Sequence, residues 1–293
     1  MPEIAKAVRE KGFEVSVSGC GLSAADVQAW EDQGFTCYGD GWYPERLTKD
    51  IHAVVLGATV TQDNPEYLRA KELGLLLQSV PEFIYNRTKS KIRVVVAGSR
   101  GKRTILSMMV AALKKQKLAF DYATTSDVPL LENKVHLSYE SRIALIEGDE
   151  HITSLMEKRS QLEFYRPHIA VLTNLKWNLA PDHDTPEAYM STYRFFSTSI
   201  EREGKLIYYG KDPVISQLVE EIRSDITAIP FDQHEVTEHD GRTFLKTRYG
   251  EYPIQVKDTY FLINLNAARM ACRQLGVKDV DFYKAVSQMY NPE

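Results

Sequence analysis

The segment Val94-Val95-Val96-Ala97-Gly98-Ser99-Arg100-Gly101-Lys102-Arg103-Thr104 constrains this chain more than any other stretch. An apolar, β-branched run meets two glycines, and an amphipathic stretch begins at Lys102, so a buried strand must turn through a glycine loop into a helix. Glycine at 98 and 101 lets backbone N–H groups close on an anion. The helix N-terminus adds partial positive charge there, and Lys102 can reach terminal phosphates. Taken alone, Gly-x-x-Gly-Lys also fits a plain strand-to-helix turn. Its place between a buried strand and an amphipathic helix makes a phosphate loop spanning Gly98, Ser99, Arg100, Gly101, Lys102, Arg103 and Thr104 the expectation. In such loops the residue after the lysine is Ser or Thr, whose hydroxyl ligates Mg²⁺. Here it is Arg103, and a guanidinium cannot ligate a cation.

Around this loop the pattern is α/β. Residues 2–12 read as a helix, 13–18 as a strand, then a helix from Ser23, strands at 35–38 and 51–56, a helix opening Asn64-Pro65-Glu66, and a strand at 75–78. Such alternation implies parallel strands with helical crossovers, a Rossmann-like unit. It opens on a helix, so the first strand and its glycine loop are expected to be missing from this domain. Polar residues from Asn86 to Lys91 set a boundary near residue 89, giving domains over 1–89 and 90–293. The second domain is read as a central parallel sheet of the phosphate-loop ATPase type. Its strands are at 92–97, 142–146, 168–172 and 205–209, with helices near 102–117, 185–200 and 212–223. The helix after Thr185-Pro186-Glu187 carries Tyr189, Tyr193 and Phe196 along one face, which reads as core packing. Residues 226–257 form a small β insertion around Asp240-Gly241 and Tyr249-Gly250, and helices near 262–275 and 279–289 follow.

Composition removes several classes of function. With 293 residues, 43% hydrophobic and 26% charged, the chain matches about two globular domains and no disordered or low-complexity class. Its formal charge of -4 provides no excess to hold a nucleic-acid backbone or an anionic membrane, so any phosphate binding must be local. Cys20, Cys37 and Cys272 lack the pair spacing of a zinc or redox site. Neither a bilayer-spanning run nor an apolar leader is visible, and a reducing cytoplasm is the expected location.

A second cluster, Ile146-Glu147-Gly148-Asp149-Glu150-His151, puts carboxylates at the C-terminal end of a buried strand. Alone it reads as a solvated charged turn. Beside the loop it reads as the sheet edge where ligands gather, with Glu147 suited to Mg²⁺ on nucleotide phosphates.

Four motifs, in this order and spacing, resemble the Mur ligase family. They are Asn64-Pro65-Glu66 followed by Ala70-Lys71-Glu72-Leu73-Gly74, then Gly98-Ser99-Arg100-Gly101-Lys102, then Ile146-Glu147-Gly148-Asp149-Glu150, and Tyr165-Arg166-Pro167-His168 running to Thr173-Asn174-Leu175. The resemblance implies ATP and Mg²⁺ as cofactors, a UDP-muramyl precursor as partner, and a reaction in which an acyl phosphate is attacked by an amine. It implies a phosphate loop at Gly98, Gly101 and Lys102 and a magnesium carboxylate at Glu147, with Lys102 and Glu147 in catalytic roles. It also implies a nucleotide-side asparagine at Asn266. An unrelated phosphate-loop NTPase would share the loop and lack the other three motifs.

The chain departs from the family pattern at ligand positions. Arg103 stands for the loop threonine, Asn178-Leu179 for an Asp-His pair, and Leu262-Ile263 for a His-Asn pair. His183, between Asp182 and Asp184, is within reach of the lost histidine's role but reads as part of an exposed charged loop. The sequence stops at Glu293, about where the family's third domain would begin, so that domain's nucleotide- and amine-binding residues are expected to be absent from this chain. These features together give the expectation that this chain does not ligate. The alternative is an active ligase whose remaining parts lie outside this chain.

Overall fold

A computed structural model describes residues 2–153, 156, 158–177, 183–256 and 258–291. The chain divides into two compact units, one reaching Arg87 and including Ile152–Arg159, the other holding Thr88–His151 and everything from Ser160.

The first unit alternates helices and short strands: α1 (Pro2–Glu10), β1 (Ser16–Val17), α2 (Ala24–Asp32), β2 (Thr36–Cys37), β3 (Val54–Leu56), α3 (Pro65–Leu73), β4 (Leu77–Ser79) and α4 (Val80–Thr88). As the alternation requires, β1 pairs with β2 and β3 with β4 in parallel. Local chemistry sets the helix starts. Ser23 and Asp26 form a reciprocal capping box on α2, while Asn64 accepts from the Tyr67 N–H and Pro65 fills the first turn of α3. Gly74, with φ of 70°, ends α3 in the left-handed conformation. The strands are shorter than the sequence pattern suggests. Helix α4 falls between the strand expected at 75–78 and the polar stretch at 86–91, where the pattern gives no element, yet its start is written in Ser79 and Glu82, whose carboxylate accepts from the Ser79 N–H at 2.7 Å.

The second unit follows as β5 (Ile92–Ala97), α5 (Lys102–Lys115), β6 (Asp121–Ala123), β7 (Val135–His136), β8 (Ile143–Gly148), β9 (Ile169–Leu172), α6 (Pro186–Thr198), β10 (Lys205–Tyr209) and α7 (Pro213–Glu220). It continues through β11 (Thr227–Phe231), β12 (Val236–His239), β13 (Arg242–Thr247), β14 (Gly250–Ile254), α8 (Thr259–Gln274) and α9 (Asp279–Tyr290). One seven-stranded sheet runs in the order β11-β10-β9-β5-β8-β6-β7. Every pairing is parallel except β6 with β7. Strand β5 lies between β8 and β9, which explains its unbroken apolar run: both faces and both edges are covered. Helix α5 buries nine consecutive residues from Ile105 to Leu113, packing on α8 and α9 as well as on β5 and β8.

Strand β11 departs from the expected β insertion, because it continues the central sheet in parallel beside β10. Pro230 is tolerated there because β11 is an edge strand. The insertion is therefore β12 to β14, a separate antiparallel sheet. Its first turn is the expected Asp240-Gly241, both at positive φ (53° and 70°), the requirement of a two-residue hairpin turn.

Candidate functional site

Register brings three strand ends together. Ala97 on β5 aligns with Gly148 on β8 and with Leu172 on β9, so Gly98 lies beside both the acidic run and Thr173-Asn174. Gly98 has φ of 128°, and a Cβ there would stand 2.8 Å from Thr173 Oγ1 and 2.9 Å from the Asn174 carbonyl oxygen. Gly101 caps α5 with φ of 94°, and a Cβ would meet Asn264 Oδ1. Both glycines are thus required by close neighbours as well as by conformation.

The loop is fastened from the β9 side. The Ser99 N–H donates to the Asn174 carbonyl (3.1 Å), the Arg100 N–H donates to Asn174 Oδ1 (3.1 Å), and Thr173 Oγ1 donates to the Arg100 carbonyl (2.7 Å). Ser99 Oγ shares a hydrogen bond with the Tyr189 hydroxyl at 2.8 Å. No side chain caps α5, so the first-turn N–H groups point their partial charge at the loop mouth.

Lys102 is held by several oxygens. Its Nζ donates to the Gly98 carbonyl at 2.9 Å and lies 3.2 Å from Asp149 and 3.9 Å from Glu150. Glu147 is 5% exposed, and its carboxylate accepts from the N–H groups of Thr125 and Ser126, each at 2.9 Å, and from Ser126 Oγ at 2.8 Å. Thr125 Oγ1 donates to Asp149 at 2.6 Å. Tyr193 donates to Glu150 at 3.3 Å. Burial, then the negative charge of Glu150, pushes the Tyr193 phenol well above its ordinary range. Burial, then Asp149 and Glu147, does the same to Tyr165. These phenols therefore remain O–H donors beside the acidic edge.

Of the residues singled out in sequence, Gly98, Ser99, Arg100, Gly101, Lys102 and Thr104 form the loop and first turn, with Glu147 on the neighbouring strand. Arg103 is exposed, and its charge is felt at Tyr290 near the end of α9, where it opposes the upward push of burial on that phenol. Asn266 makes its hydrogen bonds away from the loop, donating to the Asp232 carbonyl at 2.7 Å and accepting from Arg269 Nε at 2.9 Å. Asn264 meets Gly101 instead. His183 is not exposed as expected: it is 6% accessible, its Nε2 lies 3.2 Å from the Glu150 carbonyl, and its ring meets Tyr189 edge-on. Leu262 and Ile263 are buried core side chains. Asn178, Leu179 and Asp182 lie outside the described residues.

Sequence reasoning missed the Thr125-Ser126 turn, Asn174, Asn264 and the polar tips of Tyr189 and Tyr193. Those tyrosines are core residues, as their helical spacing indicates, yet their hydroxyls reach the loop and the acidic edge.

Magnesium wants close to six oxygen ligands in octahedral array. Arg103 brings no oxygen ligand, and the Glu147 carboxylate accepts its backbone hydrogen bonds on one oxygen and shares the Ser126 hydroxyl between the two. Among the described residues no three His, Cys, Asp or Glu side chains converge as metal ligands. Of the two family ligand positions, Arg103 offers Mg²⁺ no oxygen while Glu147 keeps a carboxylate, and phosphate and water oxygens usually complete the coordination of this ion. The first-turn N–H groups of α5 and the Lys102 ammonium lie together at this loop.

Comparison with known proteins places this sheet and its loop in a family. Residues 96–272 match the Mur ligase middle domain. The chain is 29% identical over 240 residues to UDP-N-acetylmuramate--L-alanine ligase of Paenarthrobacter aurescens, covering 78% of this chain and 51% of that protein. It spans about half the length of curated relatives it matches. Among solved structures, UDP-N-acetylmuramate:L-alanyl-gamma-D-glutamyl-meso-diaminopimelate ligase from Neisseria meningitides superposes with a TM-score of 0.81 at 21% identity, covering 100% of this chain and 95% of that one. A murein peptide ligase from Psychrobacter arcticus gives 0.79 at 20% identity, over 98% of this chain and 65% of that one. At these identities the structural likeness establishes the fold alone. The sequence match over the loop, the acidic edge and α8 goes further, and on it the chain belongs to the Mur ligase family.

Proposed function

We propose that the second unit is a phosphate-binding central domain of the Mur ligase type. In this reading its loop takes a nucleotide's phosphates, ATP being the family's ligand, weakly and with little help from Mg²⁺, and the chain does not itself carry out amide ligation. Arg103 carries the reading. It occupies the position of the loop hydroxyl ligand and is exposed, and its guanidinium brings no oxygen to a metal.

Magnitudes support weak binding. A unit charge about 4 Å from a phosphate oxygen contributes roughly 4 kcal/mol at an effective dielectric near 20, before desolvation. Lys102 already has Asp149 and Glu150 at 3.2 and 3.9 Å, so a phosphate gains only the difference between two similar attractions. What remains are the first-turn N–H groups, about 0.3–1 kcal/mol from the helix dipole. For the first unit, a UDP-muramyl precursor stays the proposed ligand class on family membership alone.

The direct test is phosphate release from ATP and Mg²⁺ in the presence of UDP-N-acetylmuramate and L-alanine, the substrates in the relatives' name. No substrate-dependent release is expected. Release at about 1 s⁻¹, a low but ordinary enzyme rate, would overturn the proposal. One observation favours a second reading, a working ligase completed by residues outside this chain: Gly98, Gly101, Lys102 and Glu147 keep the family pattern. That reading requires magnesium-dependent ATP binding by this chain even where no amide forms.

A further inference from the structure

A cleft of about 450 Å³ opens between the β13–β14 hairpin and the α8–α9 pair, within the size range of small-ligand sites. Its α8 wall is the stripe Asn266, Arg269 and Arg273, spaced i, i+3 and i+7 on one helix face. Asn264, which meets Gly101, is two residues earlier and so roughly 200° around the helix. The cleft and the phosphate loop therefore use different faces of α8.

The hairpin supplies Lys246, Arg248 and Tyr249. Four cationic side chains thus line the cleft with two carboxylates, Glu235 and Asp279. Both carboxylates are taken, Glu235 by Lys246 at 3.1 Å and Asp279 by Arg269 at 2.9 Å. Arg269 is fixed from a second side by Asn266 Oδ1 at 2.9 Å. The surplus is two guanidinium groups. Arg273 is exposed, and Arg248 stacks over the ring of Tyr249 with 4.7 Å between Cζ and centroid. His234, its pKa lowered by burial, adds no charge at neutral pH: its Nδ1–H donates to the Glu235 carbonyl at 2.7 Å and its Nε2 accepts from the Tyr283 hydroxyl at 2.8 Å. A local surplus of two positive charges stands out in a chain with a net charge of -4.

We propose that this cleft binds a small dianion, a molecule with two carboxylate or phosphate groups, between Arg248 and Arg273. The planar guanidinium fork matches either group in bidentate geometry, which lysine cannot do. The site is independent of the proposed phosphate-loop function.

Two probes without a nucleobase, citrate and inorganic pyrophosphate, can be titrated into the ¹⁵N-labelled chain and followed by amide chemical shifts. At least one is expected to saturate in the millimolar range, shifting amides of 246–249 and 266–273, and the probe that does so distinguishes carboxylate from phosphate. Arg273→Gln, at an exposed position that leaves the fold intact, should weaken that binding about tenfold, and Arg248→Gln should do the same. Shifts confined to 98–104, unchanged affinity in both variants, or no saturation with either probe by about 10 mM would each overturn the proposal.

Discussion

Gly98 and Gly101 look alike in sequence but are required by different neighbours, and this separates their mutational behaviour. A Cβ on Gly98 meets the Asn174 backbone, which cannot move without opening the β9 side of the loop, whereas on Gly101 it meets the Asn264 side chain. Both also sit at positive φ. Each change to Ala is expected to cost about 1–3 kcal/mol in urea unfolding. Adding Asn264→Ala should recover part of the loss for Gly101→Ala and none for Gly98→Ala. Equal recovery in both would contradict the packing described. Asn264 was not legible in the sequence, because the rotation of α8 about its axis decides whether it or Asn266 faces the loop, and spacing does not fix that rotation. His183 failed for a related reason. Its flanking charges read as solvent, while the ring beside it, Tyr189, comes from the next helix and buries it. At Arg103 the expectation is directional: Arg103→Thr should raise the magnesium dependence of ATP binding if this residue is what silences the site. An unchanged dependence would move the cause elsewhere.

At the scale of elements, β5 organises the second unit and carries charge at its base as well as chemistry at its tip. Lys91, just before the strand, is buried against Asp121, and its ammonium also donates to the Ser138 carbonyl at 2.7 Å. Removing one partner of such a pair leaves the other charged and desolvated. Lys91→Met is therefore expected to destabilise by about 3–5 kcal/mol, read from the shift in urea midpoint, and a loss under about 1 kcal/mol would contradict it. The long, fully buried strands and the capped helices were legible, since continuous apolar runs and Pro or Ser at a helix start have a single structural reading. The short strands β6 and β7 were not, because strands of three and two residues carry no periodicity. Strand β11 was read by its proximity to the hairpin turns, although α7 before it acts as the crossover that returns the chain to the sheet in parallel.

For the whole molecule, two partly or fully buried histidines link stability to pH. Burial lowers the pKa of both His168 and His234, and His168 Nδ1 also accepts the Arg93 N–H at 3.2 Å, a bond that protonation would break. Because the folded pKa values lie below the ordinary value near 6.5, the unfolded chain binds more protons as pH falls through that value, and stability must fall with it. The melting temperature is expected to drop between about pH 7.5 and pH 5.5, by roughly 2–4 °C per kcal/mol lost. His234→Gln should flatten the slope, and a slope the same as the parent's would sink this assignment. The family and its central sheet were legible in four ordered motifs, whereas the state of the metal site depends on where Arg103, Lys102 and Glu147 spend their contacts. That state is tested most directly by calorimetric titration of the chain with ATP, with and without Mg²⁺. Weak binding with affinities within about threefold of each other is the predicted result, and a gain of tenfold or more on adding Mg²⁺, about 1.4 kcal/mol, would contradict it.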